Sequence, residues 1–176
     1  QLFSRAFVVL WIATFVAMAG IGMVSPLLPV YVKESLGGPA IAVALSFSGL
    51  SLSQLVAAPF LGRLGDRFGS KPFMVTGFFI YAVGAVGYLF APTWEWVVGF
   101  RVLSGLGAAG IFPMSLAYIG RLAPRRAEGR YMGVFSVAQI AGFGIGPLMG
   151  GGIRDLAGSD TAFATMAVLL AATGVM

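Results

Sequence analysis

The stretch from Gly62 to Lys71 reads GRLGDRFGSK and sets four charges and three glycines between two long apolar runs, in a chain that is only 10% charged. A charge at the centre of a bilayer costs at least ~3 kcal/mol on insertion scales, so this cluster predicts a short loop at a membrane surface. The rest of the composition agrees. Of 176 residues, 59% are hydrophobic, and 11 basic and 6 acidic side chains are too few to cover a water-soluble domain of this length. Cysteine is absent, which excludes disulfides and thiolate metal sites, and histidine is absent, which removes the commonest general base and metal ligand. A net charge of +5 would suggest nucleic acid or anionic lipid in a soluble chain.

Outward from this stretch, the charged residues mark the ends of apolar runs. There are 27 uncharged residues between Arg5 and Lys33, 28 between Glu34 and Arg63, 23 between Lys71 and Glu95, and 23 between Arg130 and Arg154. Between Glu95 and Arg121 only Arg101 intervenes, and the 16 residues after Asp160 are uncharged. About 20 apolar residues cross a ~30 Å hydrocarbon core, so these runs predict an all-α membrane protein of six transmembrane helices. The spans fall near residues 7–32, 40–61, 72–91, 94–120, 130–153 and 161–176 of a single bundle. The first run is too long for a signal peptide and carries Pro26 and Pro29 at its far end. A start at Gln1 and an end inside an apolar run make the chain look like an excerpt of something longer. With the N-terminus cytoplasmic, the inner face holds Arg5, Arg63, Arg67, Lys71, Arg121, Arg125, Arg126 and Arg130, and the outer face holds Lys33 and Arg154. That bias predicts a multi-pass protein of the plasma or inner membrane, and it explains the excess positive charge without a nucleic-acid partner.

The stretch has an echo. Gly62, Asp66, Gly69 and Ser70 share their spacing with Gly151, Asp155, Gly158 and Ser159, 89 residues later. Upstream, the first span contains Gly20, Gly22 and Pro26, and the fourth contains Gly105, Gly107 and Pro113. Three spans separate the copies, and three is odd, so the second copy enters the membrane from the opposite face. This predicts a 3+3 inverted repeat, the layout the first half of a major facilitator transporter takes.

Four motifs in order carry a resemblance to that superfamily, and within it to the twelve-helix drug and proton antiporters. Gly62, Leu64, Asp66, Arg67, Gly69 and Lys71 match the signature between helices two and three, with Ser70 in place of a basic residue. Arg101, Gly105, Gly107, Ala108 and Ala109 resemble the helix-four motif, with Ser104 where glutamine is usual. Gly133, Gly142, Gly146, Pro147, Gly150 and Gly151 reproduce the helix-five motif associated with antiporters, and Gly20, Pro26 and Pro29 the helix-one pattern. The resemblance implies the N-terminal six-helix half of a secondary transporter that exports amphipathic or drug-like molecules by proton-coupled alternating access. It implies a conformational latch at Gly62, Asp66, Arg67, Gly69 and Lys71, proton or conformational coupling at Arg101 and Gly105, and a leak-preventing seal at Gly142, Gly146, Pro147, Gly150 and Gly151 against the other half.

The residues support separate physical readings. Gly62, Gly65 and Gly69 allow a tight turn and a close helix approach. Asp66 is favoured by a helix dipole and by Arg67, Lys71 or Arg121, either as a latch or as one acid in a positive-inside anchor. Gly142, Gly146 and Gly150 fall on one helical face and invite backbone-to-backbone packing, with a kink at Pro147, as a seal or pivot or as ordinary packing inside one bundle. Arg101 is the one formal charge deep in an apolar run, and it either snorkels outward and couples or bonds carbonyls near Pro26. Gln54 and Gln139, with Phe15, Met18, Phe47, Phe112 and Met114, are candidates for a substrate wall. No span carries an acid in its interior, so the titrating carboxylate belongs to a missing half or to Asp66. Neither a nucleophile with a base nor a metal-ligand set lies in a span, so the reading is not an enzyme and needs no cofactor or metal. Its partners are the lipid bilayer, a missing C-terminal half or a second copy, a small-molecule substrate and protons. Uptake or facilitated diffusion of a sugar or other nutrient, and a non-transporting sensor or half-unit, are the alternatives.

Overall fold

The structure is a computed structural model that describes residues 5–124 and 127–175. Arg125 and Arg126, counted above on the inner face, and Met176 of the sixth span lie outside the described residues. Helix α1 (Arg5–Val30) runs into a π-helical turn (Tyr31–Ser35) and is followed by α2 (Ala40–Phe68), α3 (Ser70–Leu89), α4 (Trp94–Leu122) and α5 (Glu128–Val175). All five are long and apolar enough to cross a membrane. The fifth and sixth expected spans share α5, whose backbone leaves helical geometry at Gly158 (φ 87°, ψ 166°), giving limbs 128–157 and 159–175.

The π turn has a local cause. Pro26 and Pro29 sit inside α1 and lack amide hydrogens, which loosens the hydrogen-bond ladder just before the turn. The amide of Leu36 then reaches back five residues to the Tyr31 carbonyl at 3.2 Å.

The charged stretch departs from its expected form. Residues 62–68 are the last turns of α2 and not a loop, and the break falls on Gly69 alone, at φ 92° and ψ 151°. A helix of 29 residues is about 44 Å long at 1.5 Å per residue, well beyond a ~30 Å core. That length lets the charges clear such a core on a helical overhang. Gly62, read above as part of the turn, is helical, and a Cβ there would meet nothing within 4 Å.

Contacts between helix ends fix the directions. Trp11 donates its indole N–H to the Val134 carbonyl at 2.9 Å, and Glu34 pairs with Arg154 at 3.5 Å, so α1 and the first limb of α5 run parallel. Asp66 and Arg121 meet at the ends of α2 and α4, which are therefore also parallel. Tyr31 donates to the Tyr88 carbonyl at 2.9 Å, joining the ends of α1 and α3, and both rings stand edge-on to Phe163 at the start of the second limb. Ser115, late in α4, donates to the Met74 sulfur, early in α3, at 3.2 Å. Asp66 and Asp155 consequently lie at opposite ends of the bundle.

Tyr81, Tyr88, Phe135, Phe163, Met23 and Ile111 fill the centre and are fully buried. Gly77 and Gly107 bring α3 against α4, since a Cβ on either would lie within 2.7 Å of the other's carbonyl oxygen. Helix α2 is the outlier. Leu52, Leu55, Val56 and Phe60 stand mostly exposed along it, an apolar face suited to lipid or to a second bundle.

Candidate functional site

At the end of α2, Asp66 Oδ1 lies 3.9 Å from Arg121 Nη2, with the two side chains 83% and 53% exposed. Among the cations that the sequence offers it, Arg121 is the partner. A pair so open and so long contributes about 0–1 kcal/mol, which makes it a poor staple and an easily broken contact. Gly65 is buried on Met114 of α4, whose flexible thioether would have to move to admit a Cβ, so here glycine serves close approach. Arg67 lies over the neighbouring Phe68 ring at 5.3 Å, and Lys71 is exposed in the first turn of α3.

Arg101 is 3% exposed, so the predicted snorkelling does not occur. Its guanidinium carbon lies 4.8 Å from the centroid of Phe47 on α2, and one terminal nitrogen is 3.5 Å from the Tyr81 hydroxyl on α3. These partners replace the expected carbonyls near Pro26, because the α4 register turns the side chain toward α2 and α3. Its Nε is buried without a hydrogen-bond partner. Beside it, the Tyr88 hydroxyl shares a hydrogen bond with Ser104 at 3.1 Å. Gly105 lets α2 press onto α4 at the Leu50 carbonyl and Ser53, contacts that a Cβ would abolish.

The helix-five glycines make the backbone approach that their spacing predicts, but toward α1. A Cβ at Gly142 would strike the Phe15 carbonyl, one at Gly146 would lie 2.5 Å from the Ala19 oxygen, and one at Gly150 2.8 Å from the Met23 oxygen. That stripe is filled by its own bundle, which corrects the expectation that these three glycines meet the other half. Gly151 has open space around it, and Pro147 is half-buried.

The substrate candidates are not gathered into one site. Met18 and Met114 are 2% and 3% exposed and pack against Gly142 and Gly65, so they are core. Phe15 stacks on Trp11 at 5.9 Å and is half-buried, as are Gln54, Phe112 and Gln139. Phe47, offered as wall, is the cover over Arg101. Sequence reasoning missed Tyr81, Tyr88 and the Glu34–Arg154 pair. A tyrosine in an apolar run, whose hydroxyl needs a partner, was the available signal.

The described residues form a bundle of long apolar helices of the kind that crosses membranes, with an ion pair near each end and a buried arginine between them. Residues 10–176 match the family model described as Major Facilitator Superfamily. An uncharacterised MFS-type transporter of Methanocaldococcus jannaschii is 37% identical over 158 residues, covering 88% of this chain and 40% of that protein. A multi-drug resistance efflux pump PmrA homolog of Lactococcus lactis is 32% identical over 96% of this chain and 42% of its own length. The quinolone resistance protein NorA of Staphylococcus aureus is 28% identical over 87% and 39%. The chain belongs to the major facilitator superfamily. It spans about 40% of the length of the curated relatives it matches.

Proposed function

We propose that this chain forms the N-terminal half of a secondary transporter, with six spans in a 3+3 inverted repeat. The half exports small amphipathic molecules in exchange for protons by alternating access. The observation that carries the reading is the pair of matched breaks. Gly69 and Gly158, equivalent in the sequence repeat, take nearly the same backbone conformation at opposite ends of the bundle. Each break follows an ion pair to the helix that the repeat makes equivalent, Asp66 with Arg121 and Arg154 with Glu34. Nested inverted units of this kind build each half of such a transporter, and alternating access is the rocking of one half against the other. The efflux names of the relatives support export, and the cytoplasmic N-terminus follows from the arginine distribution.

In this mechanism the Asp66–Arg121 contact is a latch that breaks in each cycle, which its exposure and length favour. The α1–α5 glycine contact serves as a smooth pivot, and the open side of the first limb at Gly144 and Gly151 takes the seal against the second half. Arg101 couples the state of α2, through Phe47, to α3 and α4. The acids of the described residues all lie near helix ends, so the titrating group is Asp66 or a carboxylate of the other half.

Flux of a fluorescent lipophilic cation in vesicles containing the natural full-length protein, driven by an imposed proton gradient, tests this. Gradient-dependent flux that Asp66→Asn abolishes without loss of membrane insertion is the expected result. Wild-type flux in that variant removes the latch, and no flux from the unaltered protein favours a sensor.

A further inference from the structure

A cavity of about 140 Å³ opens where the start of α1, the start of α3, the end of α4 and the end of the second α5 limb converge. Leu10, Ala13, Met74 and Phe78 give it apolar walls, and Lys71 stands at one end. Lys71 and Phe78 are seven residues apart, about 10 Å along a helix, so the space leads from a charged helix end toward the hydrocarbon depth. Thr14 also lines it and is 2% exposed, and in the adjoining first turn of α3 the buried Ser70 hydroxyl has no hydrogen-bond partner among the described residues. An apolar cavity of ~150 Å³ holds a benzene-sized guest, so this one takes a short piece of a single hydrocarbon chain and not a bulky drug.

The charged end favours an anion. Gly69, the cap of α3, offers no side-chain oxygen, no acid lies in the first turn, and Lys71 makes no ion pair among the described residues. The amino end of a helix and an adjacent ammonium together attract phosphate. We propose that this cavity is a binding site for an anionic phospholipid of the inner leaflet. Its phosphate sits at Lys71 and the first turn of α3, the start of one acyl chain fills the slot between Ala13 and Phe78, and Thr14 donates to an ester oxygen. The choice of leaflet rests on the cytoplasmic placement of Lys71 proposed above; the slot itself does not.

The test uses phosphatidylglycerol with a photoreactive group near the head of one acyl chain, in phosphatidylcholine vesicles holding the natural full-length protein. Adducts are mapped by peptide mass spectrometry. They are expected on the cavity faces of α1 and α3, displaced by unlabelled phosphatidylglycerol and not by inorganic phosphate. Lys71→Ala lowers adduct yield about five-fold, as expected for one cation at an anionic lipid surface, and Lys71→Arg restores it. Ala13→Phe, which fills the slot, removes the adducts, and Thr14→Val, which preserves shape, weakens them. Adducts absent from the cavity, or insensitive to both Lys71→Ala and Ala13→Phe, overturn the proposal. Displacement by inorganic phosphate alone reduces the site to an anion site and overturns the lipid. Labelling of Lys71→Cys from outside only refutes the orientation, while the adduct map still decides whether the slot binds lipid.

Discussion

Arg101 shows how far a single residue escapes sequence reasoning. Its position in an apolar run marked it as a candidate and it is buried, but its partners were not readable. Phe47 and Tyr81 lie 54 and 20 positions away, on other helices, and only the rotation of α4 brings them over the guanidinium. A buried cation with an unpartnered Nε is costly, and replacing such a group with an apolar side chain of similar length is neutral or stabilising for the fold. Arg101→Met should therefore leave the thermal unfolding midpoint unchanged or raised while flux in vesicles falls to background. A lowered midpoint would mean that the arginine is a structural tie, and retained flux would mean that it does not couple. Asp66 was legible in a different way, since its type and spacing named it and its exposure left Arg121 as one of three candidate partners.

At the scale of the element, hydropathy located the apolar runs and set most helix ends within two or three residues. It failed at the end of α2, where the expected stop at Leu61 lies seven residues before the true one at Phe68. Hydropathy reports where a chain leaves hydrocarbon, whereas a helix ends where its backbone bonds do, and charged residues in water continue a helix readily. Three glycines in ten residues looked alike in sequence, yet Gly62 is helical and open, Gly65 is a packing contact, and only Gly69 takes a backbone region nearly closed to other residues. Gly69→Ala should lower stability by ~1–3 kcal/mol through that strain. Gly62→Ala should be neutral or raise stability by ~0.5–1 kcal/mol, because alanine is favoured in a helix interior. Unfolding midpoints of the two purified variants check this, and equal losses would place the turn at both glycines. The same limit applied to helix five, where the periodicity of Gly142, Gly146 and Gly150 announced a close neighbour but not that the neighbour was α1.

For the whole molecule, the echo of Gly62–Ser70 in Gly151–Ser159 is the feature on which the proposed inverted repeat rests. The contacts between helix ends put the two copies at opposite ends of the bundle, and the family match places that bundle in a membrane. What the sequence did not show was the second ion pair, Glu34 with Arg154, since Glu34 lies outside the repeated four residues. The central claim is that the two copies face opposite sides of the bilayer. These 176 residues hold no cysteine, so the test needs only the removal of any that the rest of the natural protein carries. Single cysteines at Asp66 and Asp155 should react with a membrane-impermeant thiol reagent from opposite sides, position 66 only from the cytoplasm and position 155 only from outside. Reaction of both from the same side would contradict the account.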